Sequence, residues 1–312
     1  MAPPLISPLR RVRPASVRPL AHAPGDNLRG AALMTASMLG FTCNDAVMKF
    51  VTQDMPLYQA ITLRGLFIMM ALALLAQRQG GLRLRIASSA RRPMSLRVLG
   101  EVASTLLFLN ALQNMAIADL TAIMQALPLA VMLGAAIFLG ESLGWRRVTA
   151  VVIGLIGVLV ILRPGTSAFG IWSLVGLGAM LMVTLRDLAT RGFGREVSST
   201  TIAFYAAVAV TLTGFVLSLG QGWIMPTAGQ VGLLVLGSGF LTVGYISAVS
   251  AMRVGEIAAV SPFRYTSLLA AILLGLVVFG EWPDFWTWAG SALVVGAGIY
   301  TIWRESRIGR IR

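Results

Sequence analysis

Asn44, Asp45 and Lys49 bring an amide, a carboxylate and an amine into an otherwise apolar stretch of the chain. Asp45 and Lys49 lie four residues apart, a spacing that puts both on one face of a helix and permits an ion pair. Arg64, in the next apolar stretch, lies at a depth where it faces Asp45. Charged groups inside a bilayer need partners or a water-filled cavity. We therefore expect either a polar binding site of Asn44, Asp45 and Arg64 or an ion pair that only stabilises the helix end.

A second polar group lies on the third apolar stretch, where Asn110, Gln113 and Asn114 share one helical face because of their i, i+3, i+4 spacing. Such a face does not point at lipid. It either bonds neighbouring helices or lines a substrate cavity together with Gln125.

Two prolines, Pro128 and Pro262, interrupt apolar stretches in the two halves of the chain. Each removes a backbone hydrogen bond and crowds a carbonyl, so both helices are expected to break there. Breaks in both halves of a transporter mark a binding site, whereas a kink used only for packing is the alternative.

The segment after Pro262 places a guanidinium between two aromatic rings, Phe263-Arg264-Tyr265. The two rings offer faces on which a planar ligand could stack. Arg264 either contacts that ligand or extends to the membrane interface as an anchor.

Composition determines the class of protein that must position these residues. Of 312 residues, 57% are hydrophobic and 12% charged, and the mean hydropathy is +0.81, far from a soluble domain with about 25% charged residues. The apolar residues fall into ten runs near the ~17–25 residues that a bilayer helix needs. We predict an all-α membrane protein with ten transmembrane helices: 28–49, 57–77, 98–118, 120–140, 147–163, 169–190, 201–220, 231–252, 257–279 and 287–303.

The net charge of +13 would suggest nucleic acid in a soluble protein, but the arginines cluster between the apolar runs, which is how orientation determinants are distributed. Nucleic acid is therefore excluded as a partner. Most Lys and Arg residues fall on one side, which places both termini in the cytoplasm. Arg186 and Asp187 lie at that inner interface and are expected to form a loop-end ion pair. Residues 1–27, rich in proline and arginine, are expected to be a disordered cytoplasmic tail.

The two halves of the chain resemble each other when the sequence is aligned with itself at a shift of 142 residues. This shift aligns several residues of the same chemical type: Asp45 with Asp187, Lys49 with Arg191, and Ala150/Gly154 with Ala292/Gly296. A shift of 140 aligns the Gly-Glu steps that end helices four and nine. Five helices per repeat force the second copy to enter from the other side, so we predict two inverted five-helix repeats, 28–163 and 169–303, followed by a basic tail, 304–312.

The small-residue pairs on helices five and ten permit close helix packing, either within a monomer or as the seam of a homodimer. Packing within the monomer is the favoured interpretation.

The chain from about 28 to 303 resembles the drug/metabolite transporter superfamily, in particular its ten-helix EamA-type permeases. The matching features are the two repeats and the segments from Leu120 to Pro128 and from Ile257 to Pro262, each running to a Gly-Glu step. Asn44-Asp45 with Lys49, Pro262 to Tyr265, and Glu281-Trp282-Pro283-Asp284 are similar to the subset that includes bacterial riboflavin permeases and S-adenosylmethionine uptake carriers.

This resemblance implies an inner-membrane carrier that moves a small organic metabolite by alternating access, without ATP hydrolysis. The sequence agrees, because it has no phosphate-binding G-x-x-x-x-G-K-[ST] loop. An enzyme is not expected, because the only His lies in the N-terminal tail and no nucleophile–base or metal-ligand pattern occurs; no cofactor or metal is expected either. A channel and a scaffold remain further alternatives.

The substrate prediction depends on whether Asp45 is already neutralised. A carboxylate engaged by Lys49 and Arg64 favours a neutral ligand, and an uncommitted one favours a cation. Taking Asp45 as engaged, the sequence predicts riboflavin import ahead of S-adenosylmethionine uptake or metabolite export. The expected substrate-binding residues are Asn44, Asp45, Arg64, Asn110, Gln113, Asn114, Gln125, Phe263, Arg264 and Tyr265.

Overall fold

The computed structural model describes residues 24–78, 88–140, 144–164, 170–190, 193, 199–254 and 257–309. Within these ranges the chain is helical, with no β-strand. The helices are α1 (Pro24–Val51), α2 (Leu57–Arg78), α3 (Ser88–Asn114), α4 (Ile117–Met124), α5 (Leu127–Leu139), α6 (Trp145–Leu162), α7 (Ile171–Thr190), α8 (Ser199–Ser218), α9 (Ala228–Val254), α10 (Ile257–Val260), α11 (Thr266–Leu274) and α12 (Phe285–Gly309).

Nine helical segments of the described ranges are long and apolar enough to cross a membrane, counting α4 and α5 together as one. The tenth expected span falls on α1, a helix of 28 residues. This helix carries the polar residues Asn44, Asp45 and Lys49, and it is not among the nine. Helix α1 begins at Pro24, four residues before the predicted span, and residues 1–23 of the expected tail lie outside the described residues.

The two expected helix breaks occur. The predicted span 120–140 is divided at Gln125 and Ala126, and Pro128 lies in the first turn of α5, where its missing N–H costs nothing. In the second half, Pro262 opens a 3₁₀ segment, Ser261–Tyr265, between α10 and α11.

Helix three was predicted to run to residue 118 but ends at Asn114, and α4 begins at Ile117. Ala116 has an extended backbone (φ −61°, ψ 138°) that breaks the helical path. Helices α5 and α11 end alike: α11 continues through a π-helical turn, Gly275–Phe279, and both segments close on a left-handed glycine, Gly140 (φ 68°) and Gly280 (φ 67°). Only glycine adopts this conformation without strain.

The main helix contacts join the two halves of the chain. Helix α1 packs on α9, α3 on α7, α2 on α8 and α6 on α12. At the last contact a Cβ on Gly157 would lie 2.8 Å from the carbonyl oxygen of Gly290, so glycine is required for this approach. A Cβ on Gly154 would meet Leu129 of α5 at 2.0 Å, so Gly154 packs closely against α5 of the same chain. A Cβ on Gly296 of α12 would meet no atom within 4 Å.

Candidate functional site

The first candidate site forms between α1 and α2, where Asn44 bridges two charged residues. Arg64 Nη1 donates to Asn44 Oδ1 at 3.3 Å, and Asn44 Nδ2 donates to Asp45 Oδ1 at 3.1 Å. Asn44 is 2% and Arg64 7% exposed. The expected association of these three residues therefore occurs, but through the amide. We call Asn44, Asp45 and Arg64 the central polar cluster.

Helix α9 of the second half packs against the central polar cluster. The Ser238 hydroxyl lies 3.3 Å from the carbonyl oxygen of Arg64 and donates to Leu234 O at 2.8 Å. A Cβ on Gly237 would lie 3.7 Å from Asn44 Oδ1, an ordinary contact. The cluster thus lies where both halves of the chain meet, and Ser238 is a neighbour that the sequence analysis missed.

Asp45 retains a carboxylate without a direct ion pair. Neither Lys49 nor Arg64 lies within salt-bridge distance of it, and among the described residues its hydrogen-bond partner is the Asn44 amide. Arg64 in turn has a buried Nε with no partner. Within the described residues, the buried guanidinium and the carboxylate therefore both keep hydrogen-bonding groups that no protein atom satisfies.

Lys49 pairs with Glu281, not with Asp45, so the possible i, i+4 pair does not form. Lys49 Nζ lies 2.6 Å from Glu281 Oε1 and 2.6 Å from the carbonyl oxygen of Met115. Glu281 Oε2 accepts the N–H of Ile117 at 3.1 Å. The Met115 carbonyl and the Ile117 N–H have no helical partner, because these two residues flank the extended Ala116 at the break between α3 and α4. The Lys49–Glu281 bridge thus ties the second half to three helices of the first.

Two further contacts join the halves at the same end of the bundle. The Thr287 hydroxyl donates to Asp119 Oδ1 at 2.7 Å, and Arg163 pairs with Asp284. Asp284 lies between the membrane-spanning segments. Partial burial, the largest single effect, would raise its pKa, but hydrogen bonds from the Thr287 backbone and from Arg163 outweigh it, so the pKa of Asp284 is lowered. This carboxylate stays ionised.

A second set of ion pairs lies at the opposite end of the bundle. The expected Arg186–Asp187 pair forms, with Nε 2.9 Å from Oδ1. Arg186 also reaches Glu101 on α3 at 3.4 Å, and Glu101 accepts from Arg97 at 3.2 Å. Glu101 lies 14 residues before Met115, or about 20 Å along a helix. The sequence analysis did not consider Glu101, although its i, i+4 spacing from Arg97 was visible; its second partner, Arg186, is distant in sequence.

The polar face of α3 is mostly used locally. The side-chain amides of Asn110 and Asn114 each donate to a carbonyl one turn back, at 2.8 Å, and Gln113 donates to Thr52 O at 3.2 Å. Gln113 therefore bonds to the turn between α1 and α2 rather than to a neighbouring helix. Asn110 and Gln113 also line a cavity of about 460 Å³.

Gln125 does not join that face. Its Nε2 donates to the Ser267 hydroxyl of the second half at 2.7 Å, and the Ser267 hydroxyl donates to Arg264 O at 3.0 Å. Gln125 is 7% exposed. Gln125 therefore links α4 to α11, the broken helices of the two halves. It does not line the cavity at α3.

The aromatic residues beside Arg264 do not form one stacking surface. Phe263 is 39% exposed, whereas Tyr265 is 8% exposed and its hydroxyl lies against Gly298 of α12 without a hydrogen-bond partner. A 3₁₀ turn has three residues per turn, so residues two apart point to different sides. Arg264 is half-buried and has no ion-pair or hydrogen-bond partner for its guanidinium within the described ranges.

Among the residues that the structure describes, no group of three or more His, Cys, Asp or Glu side chains is arranged to hold a metal ion.

The nine apolar helices found within the described ranges, with charged pairs between the two halves, define a multi-pass helical membrane protein. The chain matches the EamA-like transporter family over residues 28–163 and again over 170–303, and it belongs to that family. The resemblance to EamA-type permeases is thereby confirmed.

Curated relatives from bacteria include two kinds of metabolite transporter. An S-adenosylmethionine uptake transporter of Rickettsia prowazekii is 27% identical over 188 residues, 60% of this chain and 63% of the relative. A riboflavin transporter of Vibrio cholerae is 29% identical over 193 residues, 61% of this chain and 64% of the relative. The chain thus spans somewhat less than two thirds of these relatives' length.

Longer matches agree on the fold. The pseudopaline exporter CntI of Pseudomonas aeruginosa is 23% identical over 86% of this chain and 94% of that protein. A solved structure, described only as the crystal structure of a protein, has a TM-score of 0.61 at 21% identity, covering 88% of this chain and 96% of that one.

Proposed function

We propose that this protein is an inner-membrane secondary carrier that imports a small organic metabolite by alternating access. The observation that carries the proposal is the central polar cluster: a buried guanidinium and a carboxylate without an ion pair lie where the two family-matched halves meet. Such groups are costly inside a bilayer and are typical of a substrate pathway.

The proposed architecture is ten spans in two inverted five-helix repeats, with both termini in the cytoplasm. The packing supports a two-fold relation, because α1 on α9 and α3 on α7 are equivalent contacts under it, while α2 on α8 and α6 on α12 map onto themselves. The distribution of Lys and Arg between the apolar runs supports the orientation.

Alternating access requires that the halves separate at one end at a time. The Lys49–Glu281 bridge holds them at one end, and the Glu101–Arg186 pair holds them about 20 Å away at the other. In this proposal each pair breaks when its own end opens, and the substrate at the central polar cluster is then exposed to that side.

The contacts of Asp45 favour a cationic substrate. Riboflavin ranked first in the sequence analysis because Lys49 and Arg64 were expected to neutralise Asp45, but Lys49 binds Glu281 and Arg64 binds Asn44. An uncommitted carboxylate attracts a sulfonium or ammonium group. We therefore rank S-adenosylmethionine ahead of riboflavin, with Asn44, Asp45 and Arg64 as its contacts. Arg264, whose guanidinium has no partner among the described residues, is a further proposed contact.

Riboflavin remains the second candidate. The similarity to the Vibrio cholerae riboflavin transporter supports it, as do the neutral amides of Asn44 and Gln113. Both candidates share a planar ring and a polar arm, so the charge is what separates them.

Uptake into proteoliposomes that contain the purified full chain tests the proposal. Labelled S-adenosylmethionine and labelled riboflavin should be offered in parallel, with protein-free vesicles as the control. We expect saturable uptake of one of them and counter-flow when the vesicles are preloaded with it. Linear flux without counter-flow would indicate a channel, and no flux of either compound would refute the proposed substrates.

A further inference from the structure

A cavity separate from the central polar cluster opens at the end of the bundle where α1 ends. Its volume is about 460 Å³, within the ~300–1,000 Å³ of small-molecule pockets. The wall consists of the turn between α1 and α2, the polar face of α3, and the segment between α8 and α9. None of Asn44, Asp45 and Arg64 lines it.

Hydrogen bonds between distant segments hold the cavity wall in place. Gln59, which is fully buried, donates to Ile224 O at 2.7 Å and accepts the Ile224 N–H at 3.0 Å, so it fixes the α8–α9 segment on α2. Gln113 donates to Thr52 O at 3.2 Å and fixes the turn on α3. The cavity is therefore preformed by contacts from both halves.

The chemistry of the wall is acidic and otherwise neutral. Asp54 is the one charged residue among the lining residues, and its exposed carboxylate has no ion-pair or hydrogen-bond partner in the described part of the chain. The amide side chains of Gln53, Asn110 and Gln221 and the half-buried Tyr58 line the same cavity. A carboxylate and an aromatic ring in one cavity suit an organic cation that carries a planar ring.

We propose that this cavity is a capture site, which binds a cationic ring-bearing metabolite before it enters the central polar cluster. The inference rests on the proposed function, because with both termini cytoplasmic this cavity faces the side from which an imported substrate arrives. Asp54 raises the local concentration of the cation, and Tyr58 orients its ring.

Transport kinetics test the capture site, because loss of capture raises the KM of transport while the kcat is kept. Asp54→Asn should raise the KM for S-adenosylmethionine about fivefold, which corresponds to about 1 kcal/mol, while kcat stays unchanged. The KM for neutral riboflavin should not change. Adding Gln53→Glu to Asp54→Asn returns a carboxylate to the same wall and should recover most of the loss. An unchanged KM, or equal effects on both compounds, would overturn the capture site.

A binding measurement separates this inference from the proposed function. Equilibrium dialysis of labelled benzyltrimethylammonium against the detergent-purified full chain requires no transport. Binding that weakens about fivefold in Asp54→Asn and recovers when Gln53→Glu is added supports the capture site even if neither metabolite is transported. Absent binding, or binding that Asp54→Asn leaves unchanged, would overturn it.

Discussion

Gln125 and Ser267, which share a hydrogen bond of 2.7 Å, lie 142 residues apart, the same shift that overlays the two halves of the sequence. Two equivalent residues contact each other only where a two-fold axis passes between them. The bond therefore marks the position where the axis of the proposed inverted repeat would cross the protein, between α4 and α11.

The first prediction concerns this bond. Ser267→Ala leaves the buried Gln125 amide without a partner and should cost about 1–3 kcal/mol of stability. Gln125→Leu removes the buried amide itself and should cost less. The double variant should be more stable than Ser267→Ala alone. Size-exclusion chromatography after heating measures this order, and Thr266→Ala, which removes a neighbouring hydroxyl bonded to Phe263 O, serves as the matched control. Equal losses in all four variants would contradict a specific pairing.

The sequence predicted the elements that depend on local chemistry. Polar residues in apolar stretches identified Asn44, Asp45 and Arg64, and the prolines identified the breaks near residues 125 and 261. Both features can be recognised in the sequence because charged side chains and helix breaks are costly inside a bilayer and need compensating contacts there.

The Arg186–Asp187 pair could be predicted because the two residues are adjacent, but the partner of Lys49 could not. Lys49 has an acid four residues away, yet it binds Glu281, 232 residues later, because the α3–α4 break supplies two backbone groups that complete that site. Spacing along one helix gives no information about such a break. Spacing likewise does not show that Phe263 is exposed and Tyr265 buried, a difference that follows from the 3₁₀ turn between them.

The second prediction concerns topology. A cytoplasmic fluorescent reporter fused after Arg312 should be active, and a periplasmic phosphatase fused there should not, because ten spans return the chain to its starting side. A phosphatase fused within the α1–α2 turn, at Gln53, should be active. The reverse pattern would refute the span count or the orientation.

The third prediction tests the Lys49–Glu281 bridge. Lys49→Glu and Glu281→Lys each place like charges together and should reduce transport at least about tenfold, since breaking a buried pair costs about 3–5 kcal/mol. Combining them restores opposite charges and should recover part of the activity. Recovery will be incomplete, because Glu at position 49 no longer donates to Met115 O. A double variant no better than either single one, at equal membrane abundance, would argue against a pairwise role.

The fourth prediction uses Cys43, the only cysteine of the chain, as a reporter of access. It lies on α1 two residues before Asp45 and is half-buried. Glu281→Gln weakens the bridge at the end where α1 ends, so an impermeant thiol reagent added outside whole cells should label Cys43 faster. Glu101→Gln weakens the opposite end and should increase labelling only in inverted vesicles. Equal labelling of both variants from both sides would contradict gates at opposite ends.

The last prediction is that Asp45 discriminates substrates by charge. Because neither Lys49 nor Arg64 forms an ion pair with Asp45, its carboxylate is available to a cation. Asp45→Asn keeps the shape and the Asn44 contact but removes the charge, so S-adenosylmethionine uptake should fall at least about tenfold, the loss of about 1.4 kcal/mol or more of binding. Riboflavin uptake, which has no ion pair to lose, should change less than about twofold. Glu281→Gln provides the control, because it affects the movement of the halves and should slow both compounds alike. If Asp45→Asn instead slows both to the same degree, the carboxylate serves the carrier's conformational change rather than substrate recognition.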